Sequence, residues 1–427
     1  MRNRLNKRRS RRRSSIKSFR SGNAGPLFKL LGVVFGSFLG LALLAFCVMF
    51  VLEAFFKVDT PLNASGIIGK FAGKINTPLI ETPSPVPTEE PTPTPHPMDD
   101  FDPAEFSREL IMPSDLNYPW LADPYYHSGT VICSAGKLSD GKVKLEKLVS
   151  CELKPDFTSG AVSELDIKPV NDHLIYPAFN EKWLVYFDAN YEFGGGEIRY
   201  VDRTASRPAP KTIKKVYIGQ PEIKLDGDYI AWIERTGSER EKIFICDLST
   251  EETAVVDFFD FQASGTSMPY LSNGKLVWAA PASMNDSTVK SLDIKTGTIT
   301  EFRPGLFVHD PKYNGQHYVW LDSPHADGAK LYGSDGVSGS FEIAEDVIDF
   351  CMDELSVIYS KDDALFMYSL FDKQTYRLTA ENESAQLLGV SGSSVIFWMD
   401  VTSRERDIIK YMFNPLIRTE LHSENEG

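Results

Sequence analysis

Cysteine is scarce: five in 427 residues, at positions 47, 133, 151, 246 and 351. That is too few for a disulfide-built framework. The motif G-x-S-x-G is missing. Only a few residues follow the last apolar strand, so a Ser-His-Asp hydrolase carrying its own α/β domain is not expected. Acid is missing from residues 1–29, which hold eleven Lys/Arg, leaving −25 for the rest of a chain whose total is −14. Charge of either sign is missing from residues 30–52.

The absences divide the chain. Residues 1–26 have too little apolar content to fold and read as a disordered cytoplasmic arm. An Arg-rich run can bind nucleic acid. Beside a membrane segment it reads instead as a topology signal in contact with anionic lipid, so no nucleic-acid partner is expected. The 23 uncharged residues 30–52 span about 35 Å as a helix, enough for a hydrocarbon core of about 30 Å. No small-x-small cleavage site follows, and Phe46 before Cys47 argues against a lipoprotein. Residues 27–52 therefore read as an uncleaved transmembrane helix, with the N-terminus cytoplasmic and everything after residue 57 extracytoplasmic. Gly32, Gly36 and Gly40 share one helix face and offer a route to self-association. Residues 53–76 form a juxtamembrane segment. Residues 77–103 hold nine prolines and read as a proline-rich stalk reaching about 80 Å.

Residues 104–427 carry a repeat. A short apolar run ends on an anchor seven times, at Cys133, Tyr186, Trp232, Trp278, Trp320, Tyr359 and Phe397, at intervals of 53, 46, 46, 42, 39 and 38 residues. Proline precedes the anchor by nine residues at Pro124, Pro177, Pro269 and Pro311, and by eleven at Pro221. These prolines read as the start of a first strand. An alternating third strand ends on Asp202, Asp247, Asp293 or Asp335, suited to open the next turn. A fourth strand closes each unit, RTEL (418–421) in the last. Four short strands at a period of about 40 residues predict an all-β, seven-bladed β-propeller, with six blades as the alternative. The anchors then fill the gaps between blades and leave the list of functional candidates.

The segments PEIKLDGDYIAWIE, REKIFICDLSTEETAVV, PYLSNGKLVWAA and SLDIKTGTITEF resemble TolB-like β-propellers, in particular membrane-anchored extracytoplasmic bacterial forms. The resemblance covers residues 115–424 at most. It implies the fold and says little about activity.

Chemistry is thin. His309, His317 and His325, with Asp310, Asp322 and Asp327 among them, are spaced by eight, which does not set ligands side by side on one strand face. His173 and His309 precede first strands, which line the channel, so with Asp310 they are candidates for ligand binding. Asp188, Asn190 and Glu192 alternate before Gly194–Gly196 like part of a calcium loop, but the twelve-residue pattern is incomplete. Phe259 and Phe261, on a segment between blades, are candidates for a partner-binding rim. Cys133 and Cys151 fall on neighbouring strands, where a disulfide or two buried thiols fit, the thiols better. No cofactor and no resident metal are expected.

These features lead to the expectation of a non-catalytic, membrane-anchored, extracytoplasmic propeller that binds a protein or cell-envelope polymer. A transmembrane sensor and a channel-metal glycan lyase or hydrolase are the alternatives.

Overall fold

The computed structural model describes Met98 and residues 101–416, apart from 111–117, 155–159, 193, 237–239, 261–267, 284–285, 324–327, 337–338, 392–394 and 404–407. The basic arm, the apolar run with Gly32, Gly36 and Gly40, and most of the stalk lie outside these residues. No helix among the described residues is long and apolar enough to cross a membrane.

Seven antiparallel sheets of four strands each make seven blades, so the six-blade alternative does not hold. Blades 1 to 6 cover 120–164, 173–216, 224–260, 270–302, 308–347 and 349–377. Blade 7 takes three strands from 385–413. Its fourth is Arg108–Glu109, paired as Arg108↔Tyr411 and Glu109↔Lys410. The beginning of the described chain thus closes the ring. RTEL, expected in that place, lies outside the described residues. Leu110 follows the pairing, donates its N–H to Ile409 O at 2.8 Å and is buried between blades 7 and 1. Just before it, Asp102 caps a short helix, Pro103–Phe106, by accepting from Ala104 N–H. Met98 and Phe101 pack into the core between blades 6 and 7.

The anchors sit where a propeller needs them. Tyr186 packs among Ile132 and Leu148 of the preceding blade, Trp278 among Ala231 and Ile243, and Tyr359 among Val319 and Leu321. The register corrects the last one. Trp278 pairs with Lys290, three residues into its strand pair after Lys275↔Asp293. The equivalent pairing in blade 7 is Trp398↔Lys410, three residues after Val395↔Phe413. Trp398 faces blade 6, while Phe397 faces blade 1. Both are buried, and a one-residue step along a strand turns a side chain to the other face.

Pro269 directly precedes its first strand, Tyr270–Ser272, as expected, but three of the aligned prolines are placed differently. Pro124, Pro177 and Pro311 lie inside their first strands, Trp120–His127, His173–Phe179 and Val308–Tyr313. At each of them the register slips, between Ala122/Tyr125, Ile175/Ala178 and His309/Lys312. A bulge leaves one residue unpaired and so tolerates a residue without N–H.

The turns behave as their residues dictate. Ser128–Gly129, Asp140–Gly141 and Asn273–Gly274 have positive φ at both positions, the geometry of a tight two-residue hairpin. Asp202, Asp247 and Asp293 each accept from the N–H and hydroxyl of Thr204, Ser249 and Thr296. The turns between first and second strands also join one blade to the next. Glu181 binds His127 and Ser128, Asn180 and Lys182 reach Gly227 and Asp228, and Asp226 accepts from Gly274. Asn314 donates to the carbonyls of Asp353 and Glu354 and accepts from Gln316 and His317. Asn314→Ala strands four polar groups at a buried turn, and we expect a loss of about 1–3 kcal/mol, read as a shifted midpoint in urea unfolding.

Candidate functional site

First strands line a central cavity of about 620 Å³. Its wall runs from strand starts (Glu222, Met268, Asp349) to hairpin turns (Asp226, Asn273, Glu354). The acidic residues Asp123, Glu222, Asp226, Asp310, Asp349 and Glu354 line it against two lysines, Lys224 and Lys312, while the carboxylate of Asp353, also at the wall, is turned to Ser356 and Asn414. Tyr125, Tyr176 and Tyr270 add aromatic rings to the wall.

Both lysines are engaged. Lys224 pairs with Glu222. Lys312 donates to Phe350 O and sits 3.9 Å from the centre of that residue's ring. The lysines hold acid in the charged form: Lys224 pulls the Glu222 carboxyl below its ordinary value. Burial pushes Asp310 up, but the His309 hydrogen bond, Lys312 and Lys224 together outweigh it and leave it low. Asp123 moves the other way. Burial raises it, the Tyr176 N–H lowers it, and the nearby Glu222 charge raises it again. Burial, with the Asp226 charge added, lifts the Tyr125 phenol to about 12. The cavity therefore holds carboxyls tuned in opposite directions, a feature of sites that bind or move charge.

Three wall residues have left-handed backbones directly before proline: Asp123 (φ 49°), Tyr176 (φ 53°) and Asp310 (φ 48°). Proline disfavours helical geometry in the residue before it, and each such residue costs about 1–3 kcal/mol. Asp123 is fixed by accepting from Tyr176 N–H at 3.1 Å and Ser134 Oγ at 3.4 Å. Its carboxyl is held more protonated in the fold than in the open chain, so its contribution to stability is present below the ordinary carboxyl value of 3.8 and is lost as pH rises through the higher folded value. Asp123→Asn removes this part of the pH dependence. We expect the stability difference between variant and wild type to shift in favour of the variant as pH rises from 3.8, measured by urea unfolding across pH.

The candidates named from sequence do not converge. Asp310 lines the cavity, and His309 Nδ1 donates to its Oδ2 at 3.2 Å. His173 lies apart, at a second pocket of about 480 Å³ that shares Asp123 and Tyr176 with the first. Phe259 is buried between blades 3 and 4, beside an exposed Phe258. Phe261 lies outside the described residues, as do His325 and Asp327. Among the described residues no group of three or more His, Cys, Asp or Glu could hold a metal ion. Asp188, offered as a calcium ligand, is fully buried and accepts from Val170 N–H, Asn171 N–H and Arg199. Cys133 and Cys151 are free and buried. The sequence reading missed Asp123, Glu222, Lys224 and Lys312. Their signal was present: three of them stand directly beside the aligned Pro124, Pro221 and Pro311, and Lys224 lies three residues past Pro221.

No protein-family model and no curated protein matches the sequence. Solved structures do. The β-propeller domain of the Trilobed protease from Pyrococcus furiosus is 15% identical, with 69% of this chain and 95% of that one covered, at a TM-score of 0.51. The acylaminoacyl peptidase of Pyrococcus horikoshii is 12% identical, with 66% of this chain and 49% of that one covered, at a TM-score of 0.50. The chain thus spans about half the length of that peptidase. TolB from Acinetobacter baumannii is 11% identical, with 67% and 80% covered, at a TM-score of 0.35.

The likeness shows the fold.

The expected β-propeller stands; the expected membrane anchor falls on residues outside those described. The expected non-catalytic binder is corrected: solved neighbours with this fold include the propellers of peptidases.

Proposed function

We propose that this propeller belongs to a peptidase-type hydrolase and that its channel selects unfolded, positively charged peptide segments. The observation that carries the reading is the acidic, aromatic cavity within a propeller whose solved neighbours include an isolated protease propeller, 95% of it covered. A volume of about 620 Å³ lies in the range of ligand clefts, roughly 300–1,000 Å³. It takes a few residues of extended chain and rejects a folded domain. An excess of carboxylate attracts Lys and Arg side chains and repels acidic ones. Among the described residues no histidine is hydrogen-bonded to a serine or cysteine side chain.

The test is a library of unstructured peptides incubated with the full chain and read by mass spectrometry. Cleavage enriched in Lys- and Arg-containing members is expected. A library left intact overturns the hydrolase reading; cleavage blind to charge overturns the role of the channel. We further propose that the propeller stands on the outer side of a membrane on a single N-in anchor, which the basic arm and the uncharged run 30–52 support. External protease should then remove the propeller from intact cells and spare the arm; loss of the arm instead reverses the topology.

A further inference from the structure

We infer that the pocket between blades 1 and 2 binds the free carboxylate end of a short peptide. The argument starts at His173, which is only 6% exposed and lines the pocket. Its Nδ1 accepts the N–H of Leu145 at 3.2 Å, which places the neutral ring's proton on Nε2. Nε2–H has no hydrogen-bond partner among the described residues and is not shut off from the pocket, so it is a donor that a ligand there can take up in place of water. Burial, the leading influence on this ring, keeps it neutral against the pull of Asp172.

A second donor stands beside it. Lys142 lines the same pocket and lies 5.3 Å from the centre of the Tyr191 ring, which is stacked on His173 at 5.0 Å. Lys142 makes no ion pair among the described residues. An ammonium and an N–H lining the same pocket, both set against the Tyr191 ring, suit a carboxylate, whose oxygens accept from both. Val143, Leu145 and Ile175 add apolar lining, which suits aliphatic side chains. Asp123, at the border with the channel, already accepts from Tyr176 and Ser134 and disfavours a second negative charge nearby. A peptide bearing one terminal carboxylate and no acidic side chain meets all three conditions. That the ligand is a peptide rests on the function proposed above; that it is a carboxylate does not.

The experiment is calorimetric titration of the full chain with N-acetyl-Leu-Leu as the free acid and as its C-terminal amide. We expect the acid to bind about tenfold more tightly than the amide. Lys142→Ala, on an exposed side chain, should remove that preference, and His173→Ala should weaken both. Equal binding of acid and amide, no binding of either, or an unchanged preference in Lys142→Ala overturns the inference. Acid preference without any peptide cleavage leaves the carboxylate site standing and the hydrolase reading fallen. Cleavage with no acid preference does the reverse.

Discussion

Trp398→Ala lowers the unfolding free energy by about 3–5 kcal/mol. The indole is fully buried, and it packs against Ile358, Leu365 and Met367 of the neighbouring blade. Its Nε1 donates to Glu383 at 2.7 Å, and Lys410 joins Glu383 to Asp400 at 3.1 and 2.7 Å. Removing the ring opens a cavity at a seam that holds two rigid sheets apart, so little can collapse into it. Hydrogen exchange gives the position as well as the size. With Trp398→Ala the amides of Ser356–Lys361 and Ala364–Ser369 lose protection. With Phe397→Ala the loss falls in blade 1, at Thr130–Ser139. The same exchange pattern for both variants contradicts the pairing of Trp398 with Lys410.

Asp188→Ala costs a similar amount, about 3–5 kcal/mol, for an electrostatic reason. Its two oxygens take the N–H of Val170 at 2.7 Å and of Asn171 at 2.9 Å, and one also accepts from Arg199 at 3.3 Å. Deletion leaves Arg199, largely buried, without this partner and two backbone donors unsatisfied. Thermal unfolding in the presence and absence of a calcium chelator separates this from an ion site. The wild type should melt at the same temperature in both. A chelator-dependent midpoint would restore the calcium reading.

The repeat was legible because core positions obey a period. Seven anchors, turn glycines and strand-ending aspartates mark the blades independently of what the protein does, and the blade count follows from them. Legibility failed at single-residue resolution in the last unit, where Phe397 and Trp398 are both large and both buried, and only pairing with Lys410 tells which faces which blade. It failed again at the ring's closure. A two-residue strand, Arg108–Glu109, has no pattern of its own and owes its place to a partner some 300 residues away. The channel was the least legible part. Its wall is assembled from three to six residues of every blade, each ordinary in its own segment. Asp123 and Asp310 become a site only when seven first strands converge. The aligned prolines marked those positions, but a proline at a strand start and one at a bulge look the same in sequence. Asp188 misled for the opposite reason: alternating oxygens beside glycines suit an ion, and a buried arginine eleven residues on meets the same carboxylate.

In the function proposed above, the charge of the channel chooses the peptide. The most direct measurement uses one unfolded peptide in two versions, lysine-rich and glutamate-rich, offered together to the full chain, with product formation followed by mass spectrometry. The lysine-rich version should be processed at least about tenfold faster, and Glu222→Gln with Asp310→Asn should shrink that ratio toward one. Equal rates for the two versions, or faster processing of the glutamate-rich one, would contradict it.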